Sequence, residues 1–61
     1  MKFNLGQIVQ HKISKNKYVL VKYYPVGLFR KYAYYQGEDD KTMGAMYLYE
    51  SEITALTGGK S

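Results

Sequence analysis

The sequence predicts an all-β domain: a small barrel or a strongly bent antiparallel sheet of five short strands, with one short helical turn near the C-terminus. Three observations carry this expectation. Residues 17–24 (KYVLVKYY) gather β-branched and aromatic side chains without Gly or Pro, and such side chains fit a pleated, half-buried surface. Residues 30–53 read as two strands around the charged stretch GEDDK, and they hold five of the eight tyrosines and all five acidic residues. Strand-like runs recur along the chain with short polar connections, the spacing of a small barrel or a curled sheet.

In chain order, Phe3 and Leu5 lead to Gly6, which suits a turn needing positive φ, and residues 7–11 (QIVQH) form the first strand. Residues 12–17 (KISKNK) are a basic connection in which Asn16 tolerates the left-handed region. The second strand, 17–24, ends at Pro25, which has no N–H for a ladder. Residues 26–29 (VGLF) read as an apolar loop tucked under the sheet. The third strand covers 31–35 (KYAYY) and the fourth 43–49 (MGAMYLY), joined by a loop too long for a tight two-residue turn. Gly44 marks a bulge or the fourth strand's start. Residues 50–56 (ESEITAL) hold the helical turn, with Ser51 as its cap. Residues 1–56 thus make one β domain, and 57–61 (TGGKS) a flexible tail with little to anchor it.

Composition narrows the function classes. A chain of 61 residues buries only about 60% of its unfolded surface, so its core is small. Without cysteine, disulfides and thiolate metal sites are excluded, and oligomerisation is the remaining common support for so small a scaffold. No apolar run approaches the ~20 residues of a membrane span. No signal-peptide core follows Met1-Lys2-Phe3-Asn4, so the expected location is the cytoplasm. The net charge of +4 is unevenly dealt. Residues 1–37 carry Lys2, Lys12, Lys15, Lys17, Lys22, Arg30 and Lys31 and no acid, whereas residues 38–61 carry five acids against Lys41 and Lys60. A basic half attracts phosphates or acidic protein surfaces.

Catalysis is not expected. His11 has no Ser-His-Asp or cysteine company. Glu38-Asp39-Asp40 offers oxygen ligands but reads as a solvated turn. Gly59-Lys60-Ser61 imitates the end of a phosphate-binding loop, but the earlier glycine that loop needs would fall at Thr54. Glu50 and Glu52 point apart in a short helical turn. No cofactor, metal or small-molecule substrate is called for.

Phe3-x-x-Gly6-x-x-Val9 at the start, Val19-x-Val21 in the second strand, Ala33-x-Tyr35 in the third and Leu48-x-x-x-x-Ile53 at the end form a layout spanning nearly the whole chain. It resembles the small bacterial and phage SH3-like barrel proteins of the YodC-like uncharacterised type. Those have an F-x-x-G-D-x-V opening, an M-T-V strand, a C-x-W strand and a closing F-x-x-x-x-L. This chain has Gln7 in place of the aspartate, Ala33 for the cysteine and Tyr35 for the tryptophan. The resemblance implies a five-stranded SH3-like barrel and a bacterial or phage accessory protein, and it transfers no active site.

Alternation places Val19, Val21, Tyr23, Ala33, Tyr35, Met46 and Leu48 inward, with Val9 and Ile53. The outward set is then Tyr18, Leu20, Lys22, Tyr24, Tyr32, Tyr34, Tyr47 and Tyr49, with Arg30 at one end. A one-residue slip would exchange the faces. The plain explanation of so aromatic an exterior is cross-strand tyrosine packing. The functional explanation is a partner-binding surface formed by Tyr18, Lys22, Tyr24, Arg30, Tyr32, Tyr34, Tyr47 and Tyr49. Tyrosine and arginine anchor protein interfaces, and a protein partner or self-association is the first expectation. Tyrosines interleaved with Lys22, Arg30 and Lys31 also suit base stacking and phosphate contact, so non-specific nucleic-acid binding is the alternative. A structural homo-oligomer, basic half against acidic half, is the third.

Overall fold

The computed structural model describes residues 2–56. Five antiparallel strands form one sheet: β1 (Ile8–His11), β2 (Lys17–Val26), β3 (Phe29–Tyr35), β4 (Leu48–Tyr49) and β5 (Ile53–Ala55), in the order β4-β3-β2-β1-β5. The one helical piece among the described residues is a 3₁₀ turn, Glu50–Glu52, between β4 and β5. The all-β expectation holds, in its bent-sheet form. The sheet is open, with β4 and β5 as its edges, and does not close into a barrel. It bends far enough for strands from both ends to share one core: Val9 of β1, Leu20 of β2, Tyr32 of β3, Leu48 of β4, Ile53 of β5 and Phe3 from the N-terminal segment.

The face assignment differs from simple alternation, and the cause is local. β2 and β3 pair Leu20 with Tyr34, but Lys22 with Ala33, so one extra residue, Val21, is inserted into β2. A bulge of this kind leaves two residues opposite one and resets the alternation beyond it. Before the bulge, Tyr18 and Leu20 face the core; after it, Tyr23 does. Leu20 and Tyr32 are buried, and Tyr18, Tyr23 and Tyr34 pack against them. Val19 and Val21, expected inside, are only half-buried on the other face, as is Tyr35, which pairs with Val19. Met46, also expected inside, is exposed. Val9, Tyr23, Leu48 and Ile53 are on the core side as expected. Ala33 is buried as expected, although it lies opposite Lys22 and outside the core cluster.

Several connections also depart from the sequence reading. Residues 26–29 do not tuck under the sheet. Val26 pairs with Phe29 across a two-residue turn, Gly27 takes φ +58°, and Leu28 is almost wholly exposed. Glycine at the first central position is the residue a II′ hairpin turn requires. Pro25 therefore lies inside β2 and does not end it. In such a hairpin the pair flanking the turn exchanges hydrogen bonds and the next pair, Pro25 with Arg30, does not. β1 pairs with β2 only over Lys17–Val19, so no strand on Pro25's other side needs its missing N–H either.

Gly6 takes the positive φ expected of it, but in the β1–β2 connection Lys15, not Asn16, occupies the left-handed region at φ 67°. The expected fourth strand, 43–49, shrinks to Leu48–Tyr49 plus an isolated bridge between Tyr35 and Met43. The Gly44 amide donates to the Tyr34 carbonyl at 2.9 Å, and a β-carbon on Gly44 would run into the Tyr34 ring. Gly44 thus marks a close crossing, and the chain leaves the ladder there. Ser51 makes no capping hydrogen bond, and the last part of the expected helical segment is β5 instead. The tail, 57–61, lies outside the described residues.

Candidate interaction face

Two surfaces follow from the bulge, and the tyrosines divide between them. On the core side Tyr32 is fully buried. Its hydroxyl donates to Glu50 Oε2 at 2.7 Å and accepts from the Phe3 amide at 3.3 Å, while the Lys2 amide donates to the same Glu50 oxygen at 3.1 Å. Burial pushes the Tyr32 hydroxyl up to about 12, with the Glu50 carboxylate adding to the rise. At Glu50, partial burial alone would raise the carboxyl. The hydrogen bonds from Tyr32 and Lys2, with the charge of Arg30, outweigh it and hold the group below its ordinary value. This node ties β3, the 3₁₀ turn and the N-terminal segment together. Tyr18 and Tyr34 meet edge to face at 4.6 Å beside the core. Tyr18, Tyr32 and Tyr34 are therefore corrected from outward anchors to inward packing residues. Arg30, in register with them, has its charge near Glu50 on that side of the hairpin and not on the opposite face.

The opposite face keeps Lys22, Tyr24, Tyr47 and Tyr49 of the expected set and gains Lys31 and Phe29. Lys31 pairs with Tyr24 on one side and Tyr49 on the other. Tyr24 and Tyr47 meet edge to face at 5.3 Å, and Phe29 and Tyr49 at 6.1 Å. Lys22 Nζ stands 5.3 Å from the Tyr24 ring centre and Lys31 Nζ 4.5 Å from that of Tyr47, both within cation–π range. Neither lysine is ion-paired among the described residues; the one contact there between a basic and an acidic side chain is His11 Nε2 with Glu52 Oε1 at 3.8 Å. Phe29 is 67% exposed and Tyr47 46%, so apolar area is left uncovered. Toward β1 the same face becomes aliphatic: Leu5, Ile8, Val19, Val21 and Tyr35 line a shallow groove of about 640 Å³, bordered by Glu38 and Lys41.

Phe29 is the residue that sequence reasoning missed. The signal was present: Gly-X between two strand-like runs reads as a hairpin turn, which makes Phe29 the first residue of β3 and puts it in step with Lys31.

Other candidates have structural occupations. His11 Nδ1 accepts from the amides of Ile13 and Ser14 at 3.1 and 3.3 Å, so the ring closes the β1–β2 turn. Asp40 accepts from the Thr42 amide at 3.0 Å, and Thr42 holds the exposed Asp40 carboxyl below its ordinary value. Among the described residues no three His, Asp or Glu side chains come together as metal ligands, and no helix is long and apolar enough to cross a membrane. Family models, curated proteins and solved structures were compared with the chain, and none matches.

Proposed function

We propose that the protein is a non-catalytic interaction module, SH3-like in its strand plan, that docks a protein partner on the sheet face opposite its core. The bacterial or phage accessory role in the cytoplasm implied by the resemblance belongs to this proposal. The observation that carries it is the cluster of Lys22, Tyr24, Lys31 and Tyr47, continued by Phe29 and Tyr49: two aromatic pairs and two cations without an ion pair among the described residues, all on the face away from the core. Packing alone does not account for it, because Phe29 and Tyr47 keep much of their surface in water. Rigid aromatic side chains with free polar tips lose little entropy on binding and suit an interface.

The test is crosslinking from a photoreactive residue placed at Leu28, beside the cluster, in nuclease-treated extract of the source cells. It compares the parent chain with a variant carrying Tyr24→Ala and Tyr47→Ala. A discrete crosslinked protein that the double variant loses while keeping its fold supports docking. Crosslinking unaffected by the double substitution, or dependent on nucleic acid, contradicts it.

A further inference from the structure

We infer that the docking face takes an acidic, apolar-alternating polypeptide segment, its carboxylates set against Lys22 and Lys31 and its apolar side chains against the tyrosines and the aliphatic groove. The inference rests on the docking reading above and adds the chemistry of the partner.

Charge complementarity is the first support. Val9 and Tyr18 face the core, so Lys17 lies on the opposite face, in line with Lys22 and, across the ladder, Lys31. The strands themselves contribute no carboxylate to this face: Glu50 and Glu52 belong to the 3₁₀ turn and meet the face only at its Phe29–Tyr49 edge, and Glu38 borders the aliphatic groove and the cleft that Lys17 lines, away from Lys22 and Lys31. Lys22 and Lys31 have tyrosine rings beside them, and among the described residues neither has a carboxylate within ion-pair distance.

The second support is the order of surface types. Aromatic pairs with cations occupy the β3–β4 end, and Leu5, Ile8, Val19 and Val21 the β1–β2 end. A polypeptide alternating acidic and apolar residues matches both ends. A nucleic acid matches less well: each ammonium already stands over a tyrosine ring that a base would need for stacking, and the aliphatic groove offers a base no aromatic partner beyond Tyr35. A second copy of the chain could bring its turn at Glu38-Asp39-Asp40, which has no apolar residue within it, or its 3₁₀ turn, where Glu50 is already held by Tyr32 and the Lys2 amide and Glu52 stands beside His11.

The probes are a synthetic peptide alternating glutamate with leucine, the same peptide with lysine for glutamate, and a mixed-sequence single-stranded oligonucleotide. Each is titrated into the labelled protein by NMR, alone and over a salt series. The expected result is saturable binding of the glutamate peptide, with amide shifts centred on Lys22, Tyr24, Lys31 and Tyr47, weakening as salt rises. Lys22→Glu with Lys31→Glu, one exposed and one half-buried position on the face away from the core, should weaken it at least ~tenfold and invert the preference toward the lysine peptide. Equal binding of both peptides, tighter binding of the oligonucleotide, or self-association in light scattering that the glutamate peptide does not displace would each overturn the inference. If the glutamate peptide fails while Tyr24→Ala with Tyr47→Ala still abolishes the protein crosslink, the acidic chemistry is wrong and docking stands. If both fail, docking falls too.

Discussion

Tyr32 is the residue on which core and connectivity meet. Its ring fills the centre of the cluster, edge-on to Phe3 at 6.0 Å, and its hydroxyl reaches Glu50. Tyr32→Phe keeps the ring but leaves Glu50 and the Phe3 amide without that partner, so it should cost about 1–2 kcal/mol in urea denaturation. The same node sets a pH window. Tyr32 has a raised folded value, so its contribution is complete below its unfolded value near 10 and is lost as pH rises through about 12. Glu50 has a lowered folded value, so its contribution is present above its unfolded value near 4.5 and is lost as pH falls below that. Denaturation midpoints measured against pH should fall on both flanks, and Tyr32→Phe should flatten the alkaline one. Leu20→Ala should cost about 2–5 kcal/mol by opening a cavity in the core. Val21→Ala, at the half-exposed bulge, should cost less than half as much. A larger loss for Val21→Ala than for Leu20→Ala would place the wrong face inside.

At the scale of elements, the bulge and two glycines decide how the strands run. β2 is long enough to pair with β1 at one end and β3 along the rest, and the inserted Val21 lets it present Tyr18 and Leu20, then Tyr23, to one core. Period-2 reasoning identified β2 from its composition, yet nothing in KYVLVKYY distinguishes Val21 as the extra residue. Every β-branched or aromatic position there suits either face. The face of Tyr18 was therefore illegible from sequence, and on β3, which alternates regularly, nothing in KYAYY says whether Tyr32 and Tyr34 or Ala33 and Tyr35 face the core; Tyr24 came out as expected because it lies beyond the bulge. The β2–β3 hairpin was legible in Gly27-Leu28, and the shortness of β4 was not, because it depends on the Tyr34 ring lying across Gly44. Gly44→Ala should therefore destabilise by about 1–3 kcal/mol, the usual penalty for overpacking, and should displace the Tyr34 ring signals in NMR. If its melting temperature equals the parent's, the close crossing does not exist.

Across the whole molecule, a core of six buried residues among those described supports a sheet whose other face presents aromatic and basic side chains, with Phe29 and Tyr47 exposed. A domain this small gains little from further surface aromatics unless they meet something. Under the proposed docking, stability and interaction divide by face: changes at Leu20, Tyr32 or Ile53 should unfold the chain, and changes at Lys22, Tyr24, Lys31 or Tyr47 should leave it folded. Tyrosine nitration read by mass spectrometry tests that separation directly, because the tyrosines are spread over both faces. In the native protein Tyr47, Tyr49 and Tyr24 should be modified first and Tyr32 last, reacting only once the chain is unfolded in urea. Early nitration of Tyr32 and Tyr34 with protection of Tyr24 and Tyr47 would contradict the account.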